Sequence, residues 1–110
     1  MAEPLAVILA ACRTPIGSFG GTLKDLTAPE LGAIVIRDAL ARAEVGAADA
    51  SEVILGCVLQ GGSGMNVARQ AAIKAGVPAD VPAETINRVC GSGLQAVAHA
   101  VEGVRSRGGR

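Results

Sequence analysis

Three times along its 110 residues the chain sets a short apolar run before a turn and then a segment of helical period. This alternation constrains the architecture more than any other feature. Repeated β-α units of this size close as a mostly parallel sheet with helices on its faces. The apolar runs are residues 5–12, 52–59 and 85–89. Unbroken runs of that length suit strands buried on both faces. The first is closed by Arg13-Thr14-Pro15, and Pro15, Gly17, Gly20 and Gly21 then mark a loop.

The helices are delimited by their own punctuation. Residues 27–45 form the first. Thr27 and Glu30 have capping-box spacing, and Pro29 lies in the first turn, where its missing N–H costs nothing. Leu31, Ile34, Val35 and Ala39 make an apolar stripe that Ile36 and Leu40 widen, and Arg37, Asp38, Arg42 and Glu44 mark the wet side. Gly46 is the expected stop. Gly61-Gly62-Ser63-Gly64 turns the chain, and Asn66 is placed to cap a second helix reaching about Ala75, ended by Gly76 and Pro78. The glycine-rich turn lacks the Gly-Lys-Ser/Thr ending of a phosphate loop. Gly91-Ser92-Gly93 makes a tight turn into a third helix, residues 94–104.

Composition excludes several classes. Ten basic and ten acidic residues cancel, so no field holds a phosphate backbone, and Phe19 as the sole aromatic offers no stacking platform. No nucleic-acid partner is expected. No apolar stretch approaches the ~18 residues of a membrane span, so no membrane partner is expected. Leu9-Ala10-Ala11-Cys12 looks like a lipoprotein cleavage site, but Glu3 and no cation precede it, and the apolar run is too short for an export segment. Cys12, Cys57 and Cys90 form no CxxC pair, which argues against a metal site and for free thiols in a reducing compartment, the cytoplasm.

Cys90 stands apart from the other two. Cys12 and Cys57 fall within apolar runs, where a cysteine is a small inert hydrophobe. Cys90 sits where a strand ends and a helix begins. The first amides of a helix are unpaired and, with the macrodipole, favour negative charge, the form in which a thiol attacks. Gly91 and Gly93 leave room for an acyl substrate. The arrangement parallels the strand–turn–helix elbow of serine hydrolases, with a different motif. The same amides could bind a developing oxyanion.

Residues 85–97, Thr-Ile-Asn-Arg-Val-Cys-Gly-Ser-Gly-Leu-Gln-Ala-Val, resemble the active-site segment of thiolases nearly letter for letter. Arg13-Thr14-Pro15-Ile16-Gly17 with Phe19-Gly20-Gly21 resembles that family's first loop. Gln60-Gly61, Asn66, Ala68-Arg69-Gln70-Ala71-Ala72 and Ala75-Gly76 resemble its second loop and helix. The resemblance covers residues 7–104. It implies an incomplete thiolase-like three-layer α/β/α domain, the β-α-β-α-β-α portion of the family's N-terminal half. It implies acyl transfer between coenzyme A thioesters through an acyl-cysteine, in acetyl-CoA condensation or 3-ketoacyl-CoA thiolysis. Cys90 matches the nucleophile, with its backbone N–H at an oxyanion site. Acetyl-CoA and other acyl-CoA thioesters are the implied substrates, with no permanently bound cofactor and no metal. A homodimer or tetramer is implied for a complete member. Asn66, Arg69 and Gln70 either line a subunit contact or form a capped, hydrogen-bonded helix start.

A nucleophile needs a proton acceptor. The single histidine, His99, lies nine residues along the same helix, roughly 13 Å from Cys90, beyond the reach of a base. It is expected to be a surface or packing residue. The family's base histidine, second cysteine and most coenzyme A contacts come from later segments that have no counterpart here. Residues 105–110 read as an atypical tail, and Arg105, Arg107 and Arg110 as a solvated helix end. A truncated or frameshifted product, or a partial gene model, is expected. The alternative is a non-catalytic thiolase-like protein with an assembly or binding role. Acyl-chain length is not encoded in these motifs.

Overall fold

The computed structural model of the chain describes residues 5–107. The readings made on Glu3, Gly108, Gly109 and Arg110 lie outside the described residues. The elements run α1 (Ala28–Ala43), β1 (Val53–Gly56), α2 (Val67–Lys74), β2 (Ala83–Ile86) and α3 (Ser92–Ser106), with a 3-10 turn at Ala47–Asp49 before β1.

β1 and β2 pair in parallel, Val53 opposite Ala83 and Gly56 opposite Ile86. The parallel pairing and its crossover helix agree with the β-α reading. Alternation along the strands separates two faces. Val53 joins Ala72, Val77 and Val81 in the core, with Ile36 and Leu55 packed against them, so one face meets α1 and α2. On the other face Glu84 meets His99 of α3, and Gly56 meets the start of α3. Helices on both faces of a parallel sheet make the fold class α/β.

Small residues set the helix spacing. Ala33, Ala68, Ala71 and Ala72 are buried between α1 and α2. A Cβ on Gly32 would lie 2.9 Å from the Ala71 Cβ, so the two helices approach closely only because Gly32 has none. Arg37 on the wet side of α1 donates to the Lys74 carbonyl at 2.9 Å and ties the helix to the end of α2.

The helix starts follow the sequence. Thr27 accepts from the Glu30 N–H, and Glu30 accepts from the Thr27 N–H, both at 3.3 Å. The stop differs. α1 ends at Glu44, which adopts a left-handed φ of 55°, two residues before Gly46. The Val45 N–H then reaches back to the Leu40 carbonyl at 3.0 Å and closes the last turn.

The first expected strand is not formed. Residues 5–12 carry no ladder, and Leu5, Val7, Ile8 and Leu9 are exposed. A strand is defined by a partner, and the two-stranded sheet offers this segment none. Only its end meets α1, where the Cys12 thiol donates to the Val35 carbonyl at 3.4 Å. The expected stripe of α1 is also narrower than its sequence: Ile34 is exposed.

Candidate active site

The carboxyl ends of β1 and β2 gather most of the residues of interest, as is usual for sites on parallel sheets. Cys57 follows β1, and its N–H continues the ladder to the Ile86 carbonyl at 2.9 Å. Past β2 come Asn87, Arg88, Val89 and Cys90, and then α3. The joint is therefore strand, turn, helix, as expected, but the strand ends at Ile86 instead of Val89 and the helix begins at Ser92 instead of Leu94, which leaves Cys90 in the turn as the exposed cysteine. Cys12 and Cys57 are each partly covered.

The turn is tightly hydrogen-bonded. The Gly91 N–H reaches the Arg88 carbonyl at 3.0 Å, and the Ser92 N–H reaches the Val89 carbonyl at 3.1 Å. Val89 adopts a left-handed φ of 47°, a strained state for a β-branched side chain. Gly91 is the N-cap of α3 and contributes no side-chain cap to the helix amides. A Cβ added at Gly93 would meet nothing within 4 Å, so the space above the helix start is open.

Gly56 supports this joint from below. A Cβ at that position would lie 2.5 Å from the Ser92 carbonyl carbon and 2.7 Å from the Gly93 nitrogen. Only glycine lets the end of β1 touch the start of α3. The sequence reading did not single out Gly56, although an isolated glycine in an apolar run is a recognised sign of close backbone approach. It also passed over Asn87 and Ser92 as site-builders.

The loop 60–66 is a turn, as read. The Ser63 N–H bonds the Gln60 carbonyl at 3.1 Å, and the Gln60 amide donates to the Cys57 carbonyl at 2.9 Å. Asn66 caps α2 by accepting from the Arg69 N–H at 3.1 Å. Gln70 donates to the Ser63 carbonyl at 2.7 Å, and Arg69 to the Val81 carbonyl at 3.3 Å. Arg69 thus ties α2 to the loop before β2, and Asn66 and Gln70 serve a hydrogen-bonded helix start. Thr85 of β2 extends it, donating to Asn66 Oδ1 at 2.7 Å and accepting from the Ala68 N–H at 2.9 Å.

His99 stays remote from Cys90. Its Nδ1 lies 2.9 Å from Glu84 Oε1 on the outer side of β2. At the far end of α3, Arg107 pairs with Glu52 at 3.2 Å, so this part of the basic tail is anchored to the sheet. Lost hydration and the neighbouring Asp38 push the Cys12 thiol up, against a smaller opposing pull from Arg42. No group of three metal-ligating side chains comes together among the described residues. No described helix is long and apolar enough to cross a membrane.

Comparison with known proteins gives a consistent result. Residues 6–109 match the family described as thiolase, N-terminal domain. The acetyl-CoA acetyltransferase of Cupriavidus necator is 61% identical over 98 residues, covering 89% of this chain and 25% of the relative. That of Syntrophomonas wolfei is 56% identical over 100 residues, covering 91% of this chain and 25% of the relative. The crystal structure of the Acat5 thiolase from Ascaris suum in complex with coenzyme A superposes with a TM-score of 0.89 at 39% identity, covering 94% of this chain and 27% of that one. The chain thus spans about a quarter of the length of the curated relatives it matches.

Proposed function

This chain belongs to the thiolase family, and from that premise we propose that it supplies the acyl-accepting cysteine of a coenzyme A acyltransferase. The observation that carries the proposal is the exposed Cys90 at the β2–α3 joint, one residue before the N-cap of α3.

Cys90 Sγ attacks the carbonyl carbon of an acyl-CoA. The new C–S bond forms as the bond to the coenzyme A sulfur breaks, and the proton from Cys90 leaves on the released thiol. In condensation the acyl group then passes to the enolate of acetyl-CoA, whose α-proton a base has taken, forming the C–C bond of a 3-ketoacyl-CoA and freeing the Cys90 thiolate. In cleavage Cys90 Sγ instead attacks the 3-keto carbon, the bond between C2 and C3 breaks, acetyl-CoA leaves with the proton at C2, and coenzyme A takes the acyl group from Cys90. Splitting the transfer at an acyl-enzyme replaces one hard step by two easier ones. In this reading the oxyanion is stabilised by the Cys90 backbone N–H. Coenzyme A thioesters are the substrates of this reading, consistent with the coenzyme A held by the Ascaris suum neighbour. We place the reaction in a reducing compartment such as the cytoplasm, where a free thiol persists. A homodimer or tetramer belongs to the same proposal.

The base is not among these residues. His99 is held at Glu84, roughly 13 Å along α3 from Cys90. A polypeptide of these 110 residues is therefore expected to show no thiolysis of acetoacetyl-CoA above background. Joined to the remaining three quarters of the Cupriavidus necator relative, it is expected to turn over acetoacetyl-CoA, and Cys90→Ser is expected to abolish that turnover. A folded but inactive chimaera, or one indifferent to Cys90→Ser, would overturn the proposal in favour of an assembly role.

A further inference from the structure

The left-handed backbone at Val89, immediately before the cysteine, needs an explanation. Its Cβ crowds the adjoining carbonyl in that region, so the state persists only where the surroundings over-determine it. Those surroundings are identifiable. The Ser92 hydroxyl donates to the Val89 carbonyl at 2.6 Å and accepts from the Arg88 N–H at 2.8 Å. The Val89 N–H donates to Asn87 Oδ1 at 3.0 Å, and the Asn87 amide donates to the Val58 carbonyl at 3.2 Å, beyond the end of β1. Both backbone polar groups of Val89 are thus held by side chains.

Ser92 is the buried polar residue among those described, at 4% exposure. A serine serving the helix alone would stand at the N-cap, which Gly91 occupies. Ser92 instead begins α3 and turns its hydroxyl back across the turn. We propose that Ser92 is a positioning residue: its hydroxyl clasps Arg88 and Val89 into the one turn that presents Cys90 at the mouth of α3. The proposal rests on the reading of Cys90 as acyl acceptor and adds the device that aims it. Both hydrogen bonds of the hydroxyl span at most four residues, so the clasp does not depend on distant packing.

The test is made in the chimaera with the remaining three quarters of the Cupriavidus necator relative, and compares it with its Ser92→Ala and Ser92→Thr variants. The rate of iodoacetamide labelling at Cys90 is measured by mass mapping, relative to Cys57 in the same molecule and to the same chain in guanidinium chloride. In the wild type, Cys90 is expected to react faster than Cys57 by a margin that denaturant removes. Ser92→Ala is expected to cut that margin roughly tenfold, the scale of one lost buried hydrogen bond, while circular dichroism stays unchanged. Ser92→Thr, which keeps the hydroxyl, is expected to restore it. In the chimaera, Ser92→Ala is expected to lower kcat with KM unchanged, and Ser92→Thr to recover it.

An unchanged margin in Ser92→Ala, or no recovery in Ser92→Thr, overturns the positioning role and leaves Cys90 as the acyl acceptor. A folded wild-type chimaera without any Cys90 margin overturns both.

Discussion

Three thiols in one short chain report on three environments. Cys90 is exposed at a helix mouth, Cys57 is half-buried past the end of β1, and Cys12 lies against α1 with its thiol pushed up, first by lost hydration and then by Asp38. A raised thiol holds less thiolate at neutral pH, and the thiolate is the reactive form. Iodoacetamide at neutral pH is therefore expected to label Cys90 first and Cys12 last. The Cys12 rate should keep rising at pH values where an ordinary free thiol has levelled off. Mass mapping that finds Cys57 or Cys12 ahead of Cys90 would sink the assignment. The exposure of Cys90 was legible from its place between an apolar run and Gly91. The strain at Val89 was not, because valine in an apolar run signals an extended strand, and the left-handed turn is held by the Asn87 and Ser92 side chains together with the turn's own backbone hydrogen bonds.

Local chemistry delimits the helix starts well and their ends less well. The Thr27–Glu30 box and the Asn66 cap follow from residue types at fixed offsets, and both form as read. The end of α1 falls at Glu44 because the Val45 N–H closes on the Leu40 carbonyl, although Gly46 would adopt the left-handed state more cheaply. The joint between β1 and α3 is the contact most sensitive to a single methyl group. Gly56→Ala places a carbon 2.5 Å from backbone that cannot swing aside. It is expected to cost about 1–3 kcal/mol, read by urea unfolding of the chimaera. Gly93→Ala, whose added carbon meets nothing within 4 Å, is expected to leave stability unchanged or higher. Equal losses in the two variants would mean that close approach at Gly56 is not what matters.

The whole molecule has a small core for its apolar content. Half its residues are hydrophobic, yet the buried set consists of alanines and valines, and no large side chain is fully buried among the described residues. Leu5 is 86% exposed, Leu59 85% and Leu94 78%, and Phe19 is fully exposed. The Cα radius of gyration, 14.3 Å, exceeds the roughly 13 Å of a compact chain of this length. Ordering each residue costs ~1–2 kcal/mol, and burial on this scale offsets little of it. Unpaired apolar backbone at 5–12 and at the edge of β1 adds a template for association. The isolated 110-residue polypeptide is expected to self-associate in size-exclusion chromatography and to melt without a sharp transition. A clean monomer with a cooperative melt would show that this surface is stable in water.

Residue order alone determined the β-α alternation, the helix starts, the parallel pairing and the position of Cys90 at a strand–helix joint. Each depends on patterns within about fifteen residues: apolar period, capping spacing, and glycine or proline at a turn. The tertiary structure decided what depends on distant partners. Residues 5–12 have the composition of a strand, but pairing needs a neighbour, and the sheet offers none there. Gly56 is unremarkable in sequence and indispensable in space, since its meaning lies in the backbone of Ser92 and Gly93, more than thirty positions away. His99 is held by Glu84 because β2 and α3 lie side by side, a placement that hydrophobic period alone does not encode.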